Sequence, residues 1–465
     1  MSRMGRTTRE LLSLAWPLAA QALAYTLLGM IDRLMVGQLA EAAISGVGIG
    51  GQLIFAPVTV AGAVAGAAGI LAAQARGARR PDTLAGILGS VLPLSLALGG
   101  GVTGLLVWQG PALAGWLANG ESEATAEAVR YLGWVAPASP LVLLTFAMTG
   151  FLRALGDTRS SLVTSLAALG VNTGLNFLLI NGYWGFPTLG VEGAAIATAL
   201  SQMVGCLLAG RALARCAFPE YTFRWTHLLE ARARLAWQLL ALAGPIALDA
   251  VFWQAAALGY TRVISLVGDQ ALAAWFIFSG IRGLGYVPLG ALGSAAAIVA
   301  GRHIGAGHTR RATAAVDRAR FLAVAVSLLM NVGYLVAAVW YLPAFKVLPA
   351  VAEEARFLIR AFTLILPFEA VIVILSQVLR AGGDGPAVSL ITLGSFWLVG
   401  VPGAWWLGVR LGWGLPGCLA GVGLECLVKS VGFWLRQRSG RWARRLVQGH
   451  AEPPPGLVRG CPLRP

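Results

Sequence analysis

Charge is scarce in this sequence. Only 12% of its 465 residues are Asp, Glu, Lys or Arg, against about 25% in an ordinary soluble domain. Hydrophobic residues make up 57%, and the mean hydropathy is +0.73. This excludes a soluble globule and points to a polytopic membrane protein. The five cysteines (Cys206, Cys216, Cys418, Cys426, Cys461) include no CxxC pair, so neither disulfides nor a zinc site is expected. The four histidines (His227, His303, His308, His450) lack metal-ligand spacing. No GxxxxGK[ST] run occurs, which argues against direct ATP coupling. Gly46-Val-Gly-Ile-Gly-Gly51 fits GxGxxG but lies inside an apolar run with no strand before it, and reads as helix-packing glycine. No nucleophile paired with a base stands out, so an enzyme is not expected.

The charge that is present is mostly positive, with a formal net value of +15. Its basic residues sit in short clusters between apolar runs, a pattern of membrane topology instead of nucleic-acid binding. Spanning a bilayer takes about 20 apolar residues. Twelve such segments can be placed, at 11–36, 44–73, 84–108, 132–152, 161–181, 189–210, 236–262, 271–300, 319–342, 357–379, 387–409 and 413–435. In an alternating count the N-terminus, Arg76/Arg79/Arg80, Arg153/Arg159, the 211–235 connection, Arg302/Arg310/Arg311/Arg318/Arg320, Arg380 and the Arg-rich tail share one side. Glu41, Glu121/Glu123/Glu127, Glu192, Asp269 and Glu353/Glu354 share the other. Both termini are therefore expected in the cytoplasm. Arg3, Arg6 and Arg9 precede an apolar run ending at Asp32-Arg33 without a small-residue cleavage site, which reads as a retained first helix.

The chain also repeats itself. Phe151-Leu-Arg-Ala-Leu-Gly-Asp157 has an echo in Val378-Leu-Arg-Ala-Gly-Gly-Asp384, with Arg153 matching Arg380 and Asp157 matching Asp384. Pro17 matches Pro245, Gly77-Ala78 matches Gly305-Ala306, Glu127 matches Glu354, Pro140 matches Pro367, and Gly190-Val-Glu-Gly193 matches Gly414-Leu-Pro-Gly417. Six helices per copy is an even number, so both copies enter the membrane from one side. The expected fold is an all-α polytopic membrane protein of twelve transmembrane helices, in two six-helix lobes related by a pseudo-two-fold axis along the membrane normal. The N-lobe is 1–210, the inter-lobe connection 211–235, the C-lobe 236–436, and 437–465 a basic, disordered cytoplasmic tail drawn to anionic lipid. His227 to Trp237 reads either as an interfacial amphipathic helix or as plain linker.

An ionisable side chain inside a span costs about 2.5 to 3.5 kcal/mol on insertion scales, so each one asks for a reason. Asp32, Asp249 and Glu369 are the carboxylates singled out. Gln21, Tyr25 and Asp32 recur at spacings of four and seven on one helix face. Either that stripe lines a cavity, or Asp32 merely marks the end of helix one beside Arg33. Asp249 and Glu369 sit centrally in helices seven and ten, and Arg282 on helix eight is the partner at hand for one of them. Asn172 and Asn176, one turn apart on helix five, suit a bond between helices as well as a ligand.

The duplicated Leu-Arg-Ala-x-Gly-Asp motif, Gly190-Val-Glu-Gly-Ala-Ala-Ile-Ala-Thr198 and Ile31-Asp-Arg-Leu-Met-Val-Gly37 together resemble the multidrug and toxic compound extrusion (MATE) family, over residues 8 to 436. The resemblance implies export of amphipathic, often cationic, small molecules from the plasma membrane, the inner membrane if the source is bacterial. It implies drive by proton or sodium entry, no cofactor, and a cleft between helices one and seven; a monomer is expected. It implies cation coupling at Asp32. It also places Glu369 at a second cation site eleven residues before Arg380, with Glu where Asp is usual. Sodium, the one metal implied, would lie at Asp32 or at Asp249/Glu369. The chain departs from the family pattern at Trp253, where one branch has glutamate while Asp249 stands one turn earlier. It departs again at Asn172-Thr-Gly-Leu-Asn176, where another branch ends in Asp. Tyr25, Gln21, Thr198 and Arg282 are secondary candidates, while Arg153, Asp157, Arg380 and Asp384 read as hinge and capping groups at the cytoplasmic edge. A lipid-linked saccharide flippase of the same superfamily is the nearest alternative, and it would need basic residues in the central cavity. A major-facilitator carrier would not explain the motif pair, and a membrane-embedded lipid-modifying enzyme is the alternative from another class.

Overall fold

The computed structural model describes residues 3–36, 41–118, 122–218, 221–340 and 349–447. Twelve long helices are described among them. The first lobe comprises α1 (Arg3–Val36), α2 (Glu41–Gly77), α3 (Pro81–Leu117), α4 (Glu123–Ala154), α5 (Thr158–Asn181) and α6 (Gly190–Ala214). The second comprises α7 (Ala233–Ser265), α8 (Asp269–Gly305), α9 (Thr309–Trp340), α10 (Pro349–Ala381), α11 (Gly385–Arg410) and α12 (Gly414–Arg438). Among the described residues, the eleven helices α2 to α12 are long and apolar enough by composition to cross a bilayer. Large apolar side chains such as Trp108, Trp116, Leu329 and Leu398 face outward, as a lipid solvent permits and water does not.

The repeated motif is first of all a helix stop. Gly156 (φ +91°) donates to the Arg153 carbonyl at 2.8 Å and Asp157 N–H to Leu152 at 2.9 Å. Gly383 (φ +79°) and Asp384 repeat both bonds, to Arg380 at 2.9 Å and Leu379 at 3.0 Å. These paired closures form a Schellman motif, which needs a residue tolerant of positive φ, and glycine is the cheapest one. Asp157 then caps α5, accepting from Ser160 N–H at 2.9 Å.

The lobes meet along α1, α2, α7 and α8: α2 packs on α7 and α8, and α8 on α1 and α2. The pseudo-axis therefore runs between α2 and α8. At the end where α1 begins and α12 ends the contact is reciprocal. A Cβ on Gly77 would stand 1.9 Å from the Arg302 carbonyl oxygen, and one on Gly305 1.9 Å from that of Gln74. Only glycine lets the two backbones approach so closely. The side chains cross over in the same way: Gln74 Nε2 donates to the Ala381 carbonyl at 2.8 Å, and Arg302 Nη2 to the Ala154 carbonyl at 3.2 Å. Each lobe thus satisfies a carbonyl at the open end of the other lobe's motif helix.

The connection, read over 227–237 either as an interfacial helix or as plain linker, folds as a two-strand hairpin (Ala217–Phe218 with Tyr221–Thr222) and a 3₁₀ segment, Trp225–Leu229, before α7 begins at Ala233. It lies against α3, where Arg232 N–H donates to Ser90 Oγ at 3.1 Å. Burial there pushes the Cys216 thiol up to about 11, so it stays protonated at neutral pH. The tail expected to be disordered is folded as far as Val447. Trp442, 1% exposed, lies over Gly382, Arg444 N–H donates to the Gly382 carbonyl, and Leu446 N–H donates to Gln74 Oε1 at 2.8 Å. Gly382 stands where the first copy of the motif has Leu155, and the missing side chain makes room for the indole. Residues 448–465 lie outside the described residues.

Trp442→Ala should lower stability by about 3 to 5 kcal/mol, seen as a lower melting temperature of the detergent-solubilised protein. An unchanged melting temperature would show that the tail does not hold the seam.

Candidate functional site

A cavity of about 460 Å³ lies between the lobes. Its floor is the reciprocal seam, through Ala73 and Ala381, neighbours of Gln74 and Gly382. Its walls come from both lobes: Gln21 and Tyr25 of α1, small residues of α2 from Gly62 to Ala73, Thr145 to Arg153 of α4, Ser165 of α5, and Ile246, Ser294, Ile298, Gln377 and Arg380 of the second lobe. The first-lobe polar groups form a short chain, with Gln21 Nε2 donating to Ser165 Oγ at 2.7 Å and Ser165 to the Tyr25 hydroxyl at 3.3 Å. Opposite them Ser294 Oγ donates to Gln377 Oε1 at 2.8 Å.

The two motif arginines differ from expectation. They line this cavity, whereas hinge and capping roles were expected at the membrane edge. Helix geometry is the reason: a residue two positions inside the Schellman closure still points along the helix face, here the inter-lobe face. Arg380 pairs with Asp249. Among the two aspartates only Asp157 caps a helix by its side chain. Asp384 is buried and held by Arg436 at 2.6 and 2.9 Å and by Arg444 at 3.4 Å, tying α12 and the tail to the stop of α10.

Glu369 lies elsewhere. It is 3% exposed inside the second lobe and pairs with Arg282, whose Nη2 also donates to the Tyr286 hydroxyl at 2.9 Å. Cys426 Sγ stands 3.9 Å from Glu369 Oε1 and 3.7 Å from Glu425 Oε2. Glu425 pairs in turn with Lys429, whose Nζ sits 3.4 Å from the centre of the Phe396 ring. Two carboxylates and two cations thus form one buried, charge-balanced network. Asp249 and Glu369 have separate arginine partners and are not drawn into a shared metal site; among the described residues no group of three metal-ligating side chains occurs. Asn172, Asn176 and Thr198 bond one another across α5 and α6, Asn172 Nδ2 to Thr198 Oγ1 at 3.3 Å and Asn176 Nδ2 to Asn172 Oδ1 at 3.1 Å. Asp32 falls within α1, but its side chain lies outside the described residues.

The MatE family pattern matches residues 17–178 and again 245–406. The chain belongs to the MatE family. The second match begins 228 residues after the first (245 − 17), the spacing of the internal repeat. The chain is 31% identical to the probable multidrug resistance protein NorM of Burkholderia pseudomallei, over 90% of this chain and 92% of that one. It is 24% identical to a probable multidrug resistance protein NorM of Thermotoga maritima, over 94% of each. Among solved structures it matches the crystal structure of MATE in complex with MaL6, with TM-score 0.85 and 19% identity over 93% of this chain and 96% of that one. It also matches the eukaryotic MATE transporter AtDTX14, with TM-score 0.80 and 20% identity over 95% and 98%. The MatE chain is therefore a multi-pass membrane transporter and not an enzyme.

Sequence reading of this MatE protein missed Glu425 and Lys429, although both interrupt an apolar helix at a spacing of four, the mark of an ion pair within one helix. It also passed over Gln74, whose role appears only when a carbonyl from residue 381 is brought beside it.

Arg282→Met should destabilise the protein by about 3 to 5 kcal/mol by leaving Glu369 buried without its partner. The double variant with Glu369→Leu should recover most of that loss in the same thermal-unfolding assay. Additive losses would show that the pair is not coupled.

Proposed function

We propose that this protein is a secondary active exporter of amphipathic small molecules, working by alternating access between its two lobes and driven by cation entry. The observation that carries the reading is the inter-lobe cavity closed at one end by the Gly77/Gly305 seam. A seam made of two reciprocal backbone contacts and two crossed side-chain bonds can open without unfolding either lobe. With both termini in the cytoplasm, as the distribution of Arg suggests, the seam is the inner gate and the described conformation is closed to the cytoplasm. NorM relatives described as multidrug resistance proteins support the substrate class of small amphipathic compounds.

The coupling acids we propose are Asp32, with Asp249 and Glu369 behind it. Asp249 and Glu369 each already face a guanidinium. A sodium ion there would add a second cation beside the arginine, whereas a proton neutralises the acid and releases the arginine. A proton is therefore the better-matched ion at these two positions. Coupling requires the ion to bind the two states unequally. Cationic compounds are among the substrates that the family resemblance implies. The alternative of a lipid-linked saccharide flippase is favoured by one observation, the arginines Arg153 and Arg380 on the cavity wall.

Purified protein in liposomes, with proton and sodium gradients imposed separately, tests the reading: a dye should be moved with the proton gradient and not without it. Asp32→Asn, inserted at normal levels, should lose most of that ion dependence. Gly305→Leu should block closure of the seam and lower transport at least tenfold, with the melting temperature reported alongside. Equal dye movement without any gradient would overturn the antiport reading.

A further inference from the structure

Among the described residues, the inter-lobe cavity carries a positive charge that no side chain on its wall balances. Among the described residues lining it are two arginines and no carboxylate. Arg380 is held by Asp249 from behind the wall. Arg153 has no hydrogen bond or ion pair among the described residues. Its guanidinium reaches back along α4, where a Cβ on Gly150 would be 3.8 Å from Nη2 and 3.3 Å from the Ala65 carbonyl of α2.

The imbalance arises from the repeat itself. Counting 228 residues back from Asp249, the register that pairs Pro245 with Pro17, reaches Gln21. The second lobe thus neutralises its motif arginine with an aspartate, and the first lobe has an amide at that place, which donates to Ser165 instead. An unpaired guanidinium within a membrane span is costly and marks a functional site by default. A second donor stands near: the Tyr25 hydroxyl accepts from Ser165 and keeps its own proton to give. Leu18, Phe146, Ile246 and Ile298 make much of the remaining wall apolar.

We propose that this cavity binds amphipathic organic anions, with a carboxylate, sulfonate or phosphate group docked on Arg153 and the Tyr25 hydroxyl and the apolar body against the aliphatic and aromatic wall. A guanidinium presents paired donors to such a group. The cavity wall of this chain therefore selects the opposite charge from the cationic compounds that the family resemblance implies. This deepens the export reading and rests on it only for the direction of movement, since binding itself does not require transport.

The test uses the full chain. Binding of a dansylated amino acid, one carboxylate on an aromatic body, is measured beside binding of rhodamine 6G, a cation. Arg153→Gln and Gln21→Asp should each weaken the anion about ten- to a hundredfold, the range of one charge-assisted hydrogen bond. Gln21→Asp should at the same time strengthen the cation. Asp249→Asn, which frees Arg380, should tighten the anion, so a variant with the opposite expected sign remains if the first two fail to fold. No anion binding by the unaltered protein, or binding indifferent to all three changes, overturns the proposal. A cation moved by the proton gradient with no anion bound overturns it too and leaves the export reading standing. Anion binding that depends on Arg153, with no gradient-driven movement of any probe, supports the anion site and overturns export. If instead a fluorescent short-chain phosphatidic acid is flipped in an Arg153-dependent way while the soluble carboxylate is not moved, the anionic group is that of a lipid and the site at Arg153 stands.

Discussion

Everything in this molecule is arranged around two helix ends that cannot satisfy their own carbonyls. The motif helices α4 and α10 stop at a left-handed glycine, which closes two backbone bonds and leaves the carbonyl of the preceding alanine open. In a bilayer protein an open carbonyl needs a partner from the protein itself. That partner comes from the other lobe in both cases, Gln74 for Ala381 and Arg302 for Ala154. The lobes are therefore joined where each is locally incomplete, and the glycines at 77 and 305 bring the backbones close enough for the exchange.

The same seam explains where a cavity can exist. Small residues along α2 leave space between the lobes that the side chains do not fill, and the arginines one turn inside the helix stops line it. Helix stop, the carbonyl capped by the other lobe, and cavity wall are thus neighbouring residues of one motif. A substitution anywhere in it acts on all three, which makes separate readouts of stability and transport necessary.

The two lobes share a backbone plan and differ in their charges. The second lobe buries Arg282, Glu369, Glu425 and Lys429 as a balanced set, whereas the positions reached by the repeat register in the first lobe are Ile54, Val142, Ser201 and Gly205. Duplication preserved what the backbone needs, namely prolines, helix-stop glycines and close-packing glycines. Charge was free to diverge because the buried ion pairs of the second lobe are satisfied within that lobe. The divergence also faces shared space, at the seam, where Gln74 stands in the position of Arg302, and at the cavity, where Gln21 stands in the position of Asp249.

The sequence by itself determined the membrane class, the helices and the duplication, because apolar length and repeated glycine and proline are local properties that need no partner to be read. It also identified Asp249, Glu369 and Arg282 as charges requiring an explanation. Which acid meets which arginine was decided by tertiary structure alone: Glu369 and Arg282 lie 87 residues apart, and Asp249 and Arg380 lie 131 apart. Packing also turned Arg153 and Arg380 toward the cavity, folded the first part of the tail over Gly382, and made Gln74 a cap for a carbonyl 307 residues away. A hydropathy pattern records how much a residue dislikes water; only the assembled helices determine what it faces instead.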